Sequence, residues 1–222
     1  MTDFGRSSPV GGSFAIRMID ASHYRVMPWK NGFGTTTEIA IDPPNADLGG
    51  GFRWRVSIAA VQRSGPFSAF PGYDRTIMVV EGDGMDLTVG DAPTRRLDRL
   101  FEPFVFSGDE PAECRLLGGP IRDFNLMVDR SRLHARLDVF ELDSARSVDL
   151  PAVLHCVVYC FDGSVELAGG GSGQPVCLAR HHTAVLDRAA SCSDDGTRVA
   201  VTAAGSRTRI AVIGLTPCRP AA

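Results

Sequence analysis

Short apolar and β-branched runs, broken every few residues by turn formers, constrain this chain more than any other feature. Thr35 to Ile41, Phe52 to Ala60, Arg75 to Val80, Met85 to Val89, Phe104 to Phe106 and Phe124 to Val128 read as strands. Asp42-Pro43-Pro44, Gly49-Gly50-Gly51, Pro71-Gly72, Glu81-Gly82-Asp83-Gly84 and Leu117-Gly118-Gly119-Pro120 separate them. No apolar pattern with the helical period is sustained, and only Ala21 to His23 and Thr94 to Leu100 read as short helical turns. The second half repeats the theme in Leu154 to Phe161, Ser164 to Leu167, Val176 to Leu178, Thr183 to Asp187, Val199 to Thr202 and Thr208 to Ile213, with Gly169 to Gly173 as a hairpin tip. Many short strands at close spacing bury their apolar faces by closing into a barrel or stacking as a sandwich. The expected fold class is all-β.

The 222 residues suffice for one large domain or two small fused ones. Residues 1–15 read as a flexible tail, 16–148 as an N-terminal barrel carrying the site, 149–217 as a C-terminal half and 218–222 as a second tail. No long linker marks the join near Leu150-Pro151, so the halves are expected to pack as one body. The formal charge of −3 draws neither nucleic acid nor an anionic membrane. Arg95, Arg96 and Arg99, and Arg130, Arg132 and Arg136, are interleaved with Asp98, Asp129 and Asp138 and read as solvated faces. Residues Met1 to Ser13 lack the apolar core of a secretory signal, and no run reaches the roughly 18 apolar residues of a membrane span. A cytoplasmic location is expected, and with it free thiols for all six cysteines. Cys156 and Cys160 on one strand would stand about 13 Å apart, too far to bridge.

Arg75 to Gly90 and Leu154 to Gly169 resemble each other: an apolar strand, a tight glycine turn, then an alternating strand. The pattern is similar to the hairpin of cupin barrels, and its recurrence implies a duplicated barrel, a double cupin (bicupin) of two jelly-roll-like halves. A generic hairpin repeat stays open as the alternative. In metal-dependent cupins, histidines and a glutamate precede the first hairpin. Here Phe67, Ser68 and Phe70 stand at those places, and a phenyl ring binds no metal. His23, His134, His155, His181 and His182 show no paired metal spacing, and His181 and His182 would point to opposite faces of a strand. No metal and no cofactor are expected.

Four blocks bring polar groups into otherwise core-like sequence. The first, Met27 to Ile41, sets Trp29, Lys30 and Asn31 in one turn and then puts Thr36 and Glu38 on one strand face. A hairpin turn plugged by an aromatic ring is the plain alternative. In the second, Arg55, Ser57 and Ala59 share a face opposite Trp54, Val56 and Ile58. Arg55 either ion-pairs at a rim or receives a carboxylate in a fork. The third, Ser64 to Arg75, offers Phe67 and Phe70 as apolar walls. In the fourth, Asp123, Asn125 and Met127 share a face, which either lines a cavity or meets solvent. Nucleophile elbows, phosphate loops and zinc-protease motifs are absent.

Taken in order, "MPWKNGFGTTTEIA", "WRVSIA", "GPFSAFPGYDRT" and "LLGGPIRDFNLM" resemble the HutD/Ves family over about Ile16 to Pro217. Phe33 and Thr37 depart from the family pattern, which has glycine and arginine there. The resemblance implies a double cupin linked to histidine utilisation. It implies as ligand a small carboxylate metabolite such as urocanate or a formylated amino acid. On the first reading the chain is a metal-independent binding protein that moderates the pathway. Lys30 and Arg55 would attract the carboxylate, Trp29, Phe67 and Phe70 would form apolar walls, and Asn31, Ser57, Asp123 and Asn125 would orient it. On the second it is a metal-free isomerase or hydrolase with Glu38 or Asp123 as acid–base. On the third it is a structural or interaction module with a vestigial pocket. A homodimer stays open.

Overall fold

The computed structural model describes residues 14–49, 51–143, 146–151, 153–169, 174–188, 199–204 and 207–218. The expected frayed tail Met1 to Ser13, the glycine tract beyond Gly169, Cys192 and residues 219–222 lie outside the described residues. Among the described residues there is no α-helix, and Ala21–His23 forms a single 3-10 turn as expected. No described helix is long and apolar enough to cross a membrane.

The chain divides into two compact units. One holds Tyr24–His134 with Cys218, the other β1 (Phe14–Ile19) and Ala135–Pro217. The first unit contains β2 (Arg25–Pro28), β3 (Gly34–Asp42), β4 (Trp54–Val61), β5 (Gly65–Phe67), β6 (Tyr73–Glu81), β7 (Met85–Val89), β8 (Arg95–Leu97), β9 (Phe104–Ser107), β10 (Ala112–Leu116) and β11 (Ile121–Asp129). They form a six-stranded sheet, β2-β3-β4-β11-β6-β9, and a four-stranded sheet, β5-β10-β7-β8. Val61, Ile77 and Val79 of the larger sheet meet Met85, Leu87 and Cys114 of the smaller in one apolar core.

The second unit is built the same way from most of β12 (Leu133–Leu142), β13 (Ser147–Asp149), β14 (His155–Asp162), β15 (Ser164–Gly169), β16 (Val176–Ala179), β17 (Thr183–Arg188), β18 (Val199–Ala203) and β19 (Thr208–Pro217). Its sheets run β1-β17-β14-β19-β12 and β13-β18-β15-β16. Val158, Leu186 and Ile210 face Val165, Leu178 and Val201 in its core. The orders superimpose. β14 lies between β17 and β19 as β6 lies between β9 and β11, and β15 lies between β18 and β16 as β7 lies between β10 and β8. That shared order of the central strands is the duplication the two similar segments announced.

Four expectations are corrected by pairing. The segments Arg75 to Gly90 and Leu154 to Gly169 are not hydrogen-bonded hairpins, because each tight turn carries the chain from the larger sheet to the smaller. Gly82 and Gly84 make that turn in the first unit with φ of 96° and 99°, and a Cβ on Gly84 would sit 2.4 Å from the Leu97 carbonyl oxygen. Arg95 to Leu97 is a strand on β7 rather than a helical turn. The units part at His134 and Ala135 rather than at 148 and 149, and Phe14 already belongs to a strand. Long-range partners decide both: β12 pairs with β19, and β1 runs antiparallel to β17 from Phe14 opposite Arg188. The basic clusters meet the acids beside them, Arg96 with Asp98, Arg132 with Asp129 and Arg136 with Asp138.

Cys114, Cys156, Cys160, Cys177 and Cys218 are free thiols. Burial pushes Cys114, Cys156 and Cys160 up to about 12, so they stay protonated and unreactive at neutral pH. Thiol titration without reductant is expected to count close to six in denatured protein. In native protein the exposed Cys177 should react first among the described cysteines. A denatured count near zero would overturn the free-thiol reading.

Candidate functional site

Strand alternation builds the site. On β4, Arg55, Ser57 and Ala59 point to one face. Across the ladders Ser57 opposes Glu38 and Asn125, Ala59 opposes Thr36 and Asp123, and Arg55 opposes Met127. On the far side of β11, Met127 opposes Arg75, Asn125 opposes Ile77 and Asp123 opposes Val79. Four neighbouring strands thus turn Thr36, Glu38, Arg55, Ser57, Asp123, Asn125 and Arg75 to one face of the sheet. A bulge at Ile39 keeps Glu38 in step with Ser57 while the rest of β3 shifts.

This face forms the floor of a cavity of about 440 Å³. That volume lies in the usual range for small-molecule sites. The turn between β2 and β3 supplies one wall. Trp29 donates its indole N–H to the Thr36 hydroxyl at 2.8 Å, and its ring meets Phe67 edge-on at 6.1 Å. Gly34 allows that position: a Cβ there would lie 2.4 Å from the Ala60 carbonyl oxygen and 3.2 Å from the Trp29 ring. Asn31 accepts the Phe33 N–H at 3.0 Å, so its side chain is partly engaged in holding the turn. Lys30 is exposed at the mouth, and Phe67, beside Trp29, and Phe70 continue the aromatic lining.

The charges are arranged unequally. Glu38 is 7% exposed, and its two carboxylate oxygens accept from Arg25 at 2.9 Å and Arg55 at 2.8 Å. It stands behind Arg55 rather than in the cavity wall, so its carboxylate is committed within the protein. Arg55 is 3% exposed and sits on the floor, not at a rim; its Nη2 is buried with no hydrogen-bond partner. Arg75, which the sequence reading did not single out, is 5% exposed. It donates from Nη1 to the Ser68 carbonyl at 3.0 Å and lies over the rings of Phe67, Phe70 and Phe106, 4.8 Å from the last. Its Nε is buried and unpartnered, and among the described residues no carboxylate lies within ion-pair distance of it. Burial pulls Arg75 down to about 10, with Asp123 opposing and Arg55 assisting, which leaves it cationic at neutral pH. Alternation could have found it, since Arg75 shares a face with Ile77 and Val79 as Arg55 does with Ser57 and Ala59.

Asp123 is the counterpart. It is 1% exposed, accepts from the Asn125 amide on Oδ1, and has no partner on Oδ2. Burial raises it to about 7, against the pull of Asn125 and Arg75. Of the residues anticipated as a site, Trp29, Lys30, Asn31, Thr36, Arg55, Ser57, Phe67, Phe70, Asp123 and Asn125 line one cavity, joined by Met27, Pro28, Leu48, Ser68, Arg75 and Met127 among others. Glu38 alone is set back.

Cupin barrels often hold a divalent metal, and this donor set does not fit one. Two guanidiniums and one carboxyl face the cavity floor, a field that favours an anion. Among the described residues no three His, Cys, Asp or Glu side chains converge. His181 and His182 lie in the turn before β17 rather than on a strand; His181 has φ of 62°, and its Nδ1 is 3.0 Å from the Tyr159 hydroxyl.

The family model described as HutD matches residues 21–207. A 21.2 kDa protein from the region 3′ of hutC in Pseudomonas putida is 48% identical over 126 residues, 57% of this chain. That match covers 65% of the P. putida protein, so the chain spans just under two thirds of it. Protein Ves from Cronobacter sakazakii is 33% identical over 153 residues, 68% of this chain and 80% of that one. The structure of HutD from Pseudomonas fluorescens SBW25, in a formate condition, is 36% identical, covers 92% of this chain and 100% of that one, and has a TM-score of 0.73. Fold alone is shared with the oxalate decarboxylase of Lactobacillus farciminis, at 8% identity, a TM-score of 0.65, and 97% and 88% of the two chains. The two sheet-sandwich units are those of a double cupin.

Proposed function

This chain belongs to the HutD family, and we propose that it binds a small carboxylate metabolite in the cavity of its first unit without a metal. The observation that carries the reading is Arg75. A guanidinium only 5% exposed in the cavity lining, with an orphaned Nε and, among the described residues, no carboxylate within ion-pair distance, is costly, and an anion entering the cavity removes that cost. Arg55 offers a second donor through Nη2, and Trp29, Phe67 and Phe70 suit a flat or short apolar body. Two relatives' contexts support the ligand class: the P. putida protein lies by hutC, and the P. fluorescens HutD structure comes from a formate condition. Urocanate or a formylated amino acid of the histidine-degradation pathway fits the charge and size, and holding it would moderate that pathway.

The test is a thermal-shift series with urocanate, N-formylglutamate and formate. At least one is expected to raise the melting temperature in a saturable way. Arg75→Met keeps the volume, and it should weaken that ligand by about 2–3 kcal/mol, as loss of a charge-assisted pair does. Equal affinity in wild type and Arg75→Met would remove Arg75 from the site. A second reading, a metal-free acid–base enzyme, is favoured by the free Asp123 Oδ2 on a carboxyl that titrates near neutrality. Incubating the bound ligand and looking for product separates the two.

A further inference from the structure

We propose that Asp123 is a specificity-determining residue of this cavity: it takes up a proton from solvent when a carboxylate seats on Arg75, and as the neutral acid it donates its O–H to the bound ligand. The inference rests on the anion-binding reading above and deepens it.

The geometry leaves one place for that proton. Oδ1 is occupied by the Asn125 amide, whereas Oδ2 is buried without a partner in the cavity lining. Asp123 and Arg75 share the sheet face; the partner of Asp123 across the ladder is Val79, four residues along β6 from Arg75. Each feels the other's charge, yet they form no ion pair, so the room between them is the room for a ligand. The groups facing Asp123 are few. Arg75 comes from β6, Arg55 from β4, and Lys30 from the turn at the mouth. Cys114 of β10 lies near enough to feel the Asp123 charge and is itself held neutral by burial. Glu38 of β3 is committed to Arg25 and Arg55. Within this face, Arg75 is the cation that lacks an anion of its own.

In the free protein, ionised Asp123 has the field of Arg75 to itself. An entering carboxylate takes that field, and two carboxylates in one water-poor site do not both stay ionised. The ligand keeps its charge because it sits on the guanidinium. Asp123, without an ion-pair partner, is the one that binds the proton. The event forms one O–H bond at Oδ2, breaks none in the ligand, and turns an acceptor facing the anion into a donor. A cation meets two guanidiniums in the lining, and a neutral amide brings no charge to balance Arg75, so the site selects carboxylate over isosteric amide.

The probe is N-formylglutamate, whose carboxyls stay ionised across the range tested. Calorimetric titration of wild type in two buffers of different ionisation heat, HEPES and Tris at pH 8 and MES and bis-Tris at pH 6, should show uptake of about 0.9 proton per ligand at pH 8 and about 0.1 at pH 6. The dissociation constant should rise roughly 15-fold from pH 7 to 8.5, following the ionisation of the free acid. Asp123→Asn, which keeps a donor and cannot ionise, should bind with little pH dependence and more tightly than wild type at pH 8.5. If that variant does not fold, Asp123→Ser and the wild-type proton count decide. Binding with no buffer dependence at pH 8, or an unchanged pH slope in Asp123→Asn, would overturn this proposal and leave the anion-binding reading standing. No binding of the probe at any pH in either protein would overturn both.

Discussion

Replacing Asp123 by Asn is expected to stabilise the ligand-free protein strongly at pH 8 and hardly at all near pH 4. In the fold this carboxyl titrates at about 7, raised chiefly by burial from 3.8. Between those values the folded chain holds a proton that the unfolded chain has lost, so wild-type stability falls as pH rises through that window. Below it both states are protonated and the cost is absent. Above it both are ionised and the full cost is present, on the order of 4 kcal/mol. The amide keeps the shape and the polar contacts and removes the cost. Urea denaturation at the two pH values measures it, and an equal difference at both would show that Asp123 titrates normally. A site that destabilises its own unliganded fold is consistent with a residue kept for binding rather than for packing.

The opposite effect is expected at Glu38. Its carboxylate neutralises Arg55, which is 3% exposed and, among the described residues, has no other anion within ion-pair distance. Glu38→Gln leaves that guanidinium buried and uncompensated, which typically costs about 3–5 kcal/mol. Arg25, the second partner, has a half-exposed side chain and regains water, so Arg25→Ala should cost less than about 1 kcal/mol. Adding Arg55→Met to Glu38→Gln should recover much of the loss, because it removes the stranded charge rather than a contact. Equal unfolding midpoints for wild type and Glu38→Gln would mean that the Arg55 charge is solvated. This pair also bears on ligand affinity: Arg55 is already half satisfied, so Arg55→Ala should weaken an anion less than Arg75→Met does.

That the places of Phe67, Ser68 and Phe70 offer no histidine or carboxylate ligand was legible, because side-chain chemistry is local and a phenyl ring cannot ligate. The sharing of one face by Arg55 and Ser57, and by Asp123 and Asn125, was legible because a strand repeats every two residues whatever it pairs with. His181 and His182 were misread because their strand begins only at Thr183. Ile16 to Ile19 and Ala135 to Leu142 were grouped with the N-terminal barrel, and Phe14 with a tail, because the partners of β1 and β12, which are β17 and β19, lie far along the chain.

Sequence by itself therefore determined the all-β class, the duplication, and most of the polar side chains that turn inward, Arg75 excepted. Those follow from period, turn chemistry and residue type, which act over a few neighbouring residues. Only the tertiary structure decided which charge meets which. Register places Glu38 opposite Ser57, within reach of Arg55, and that one long-range pairing takes Glu38 out of the cavity and leaves Arg75 as the cation without an anion. Burial then sets Asp123 near neutrality, and burial belongs to no residue alone: it depends on β4, β6 and β11 closing around it, and no local pattern encodes that closure.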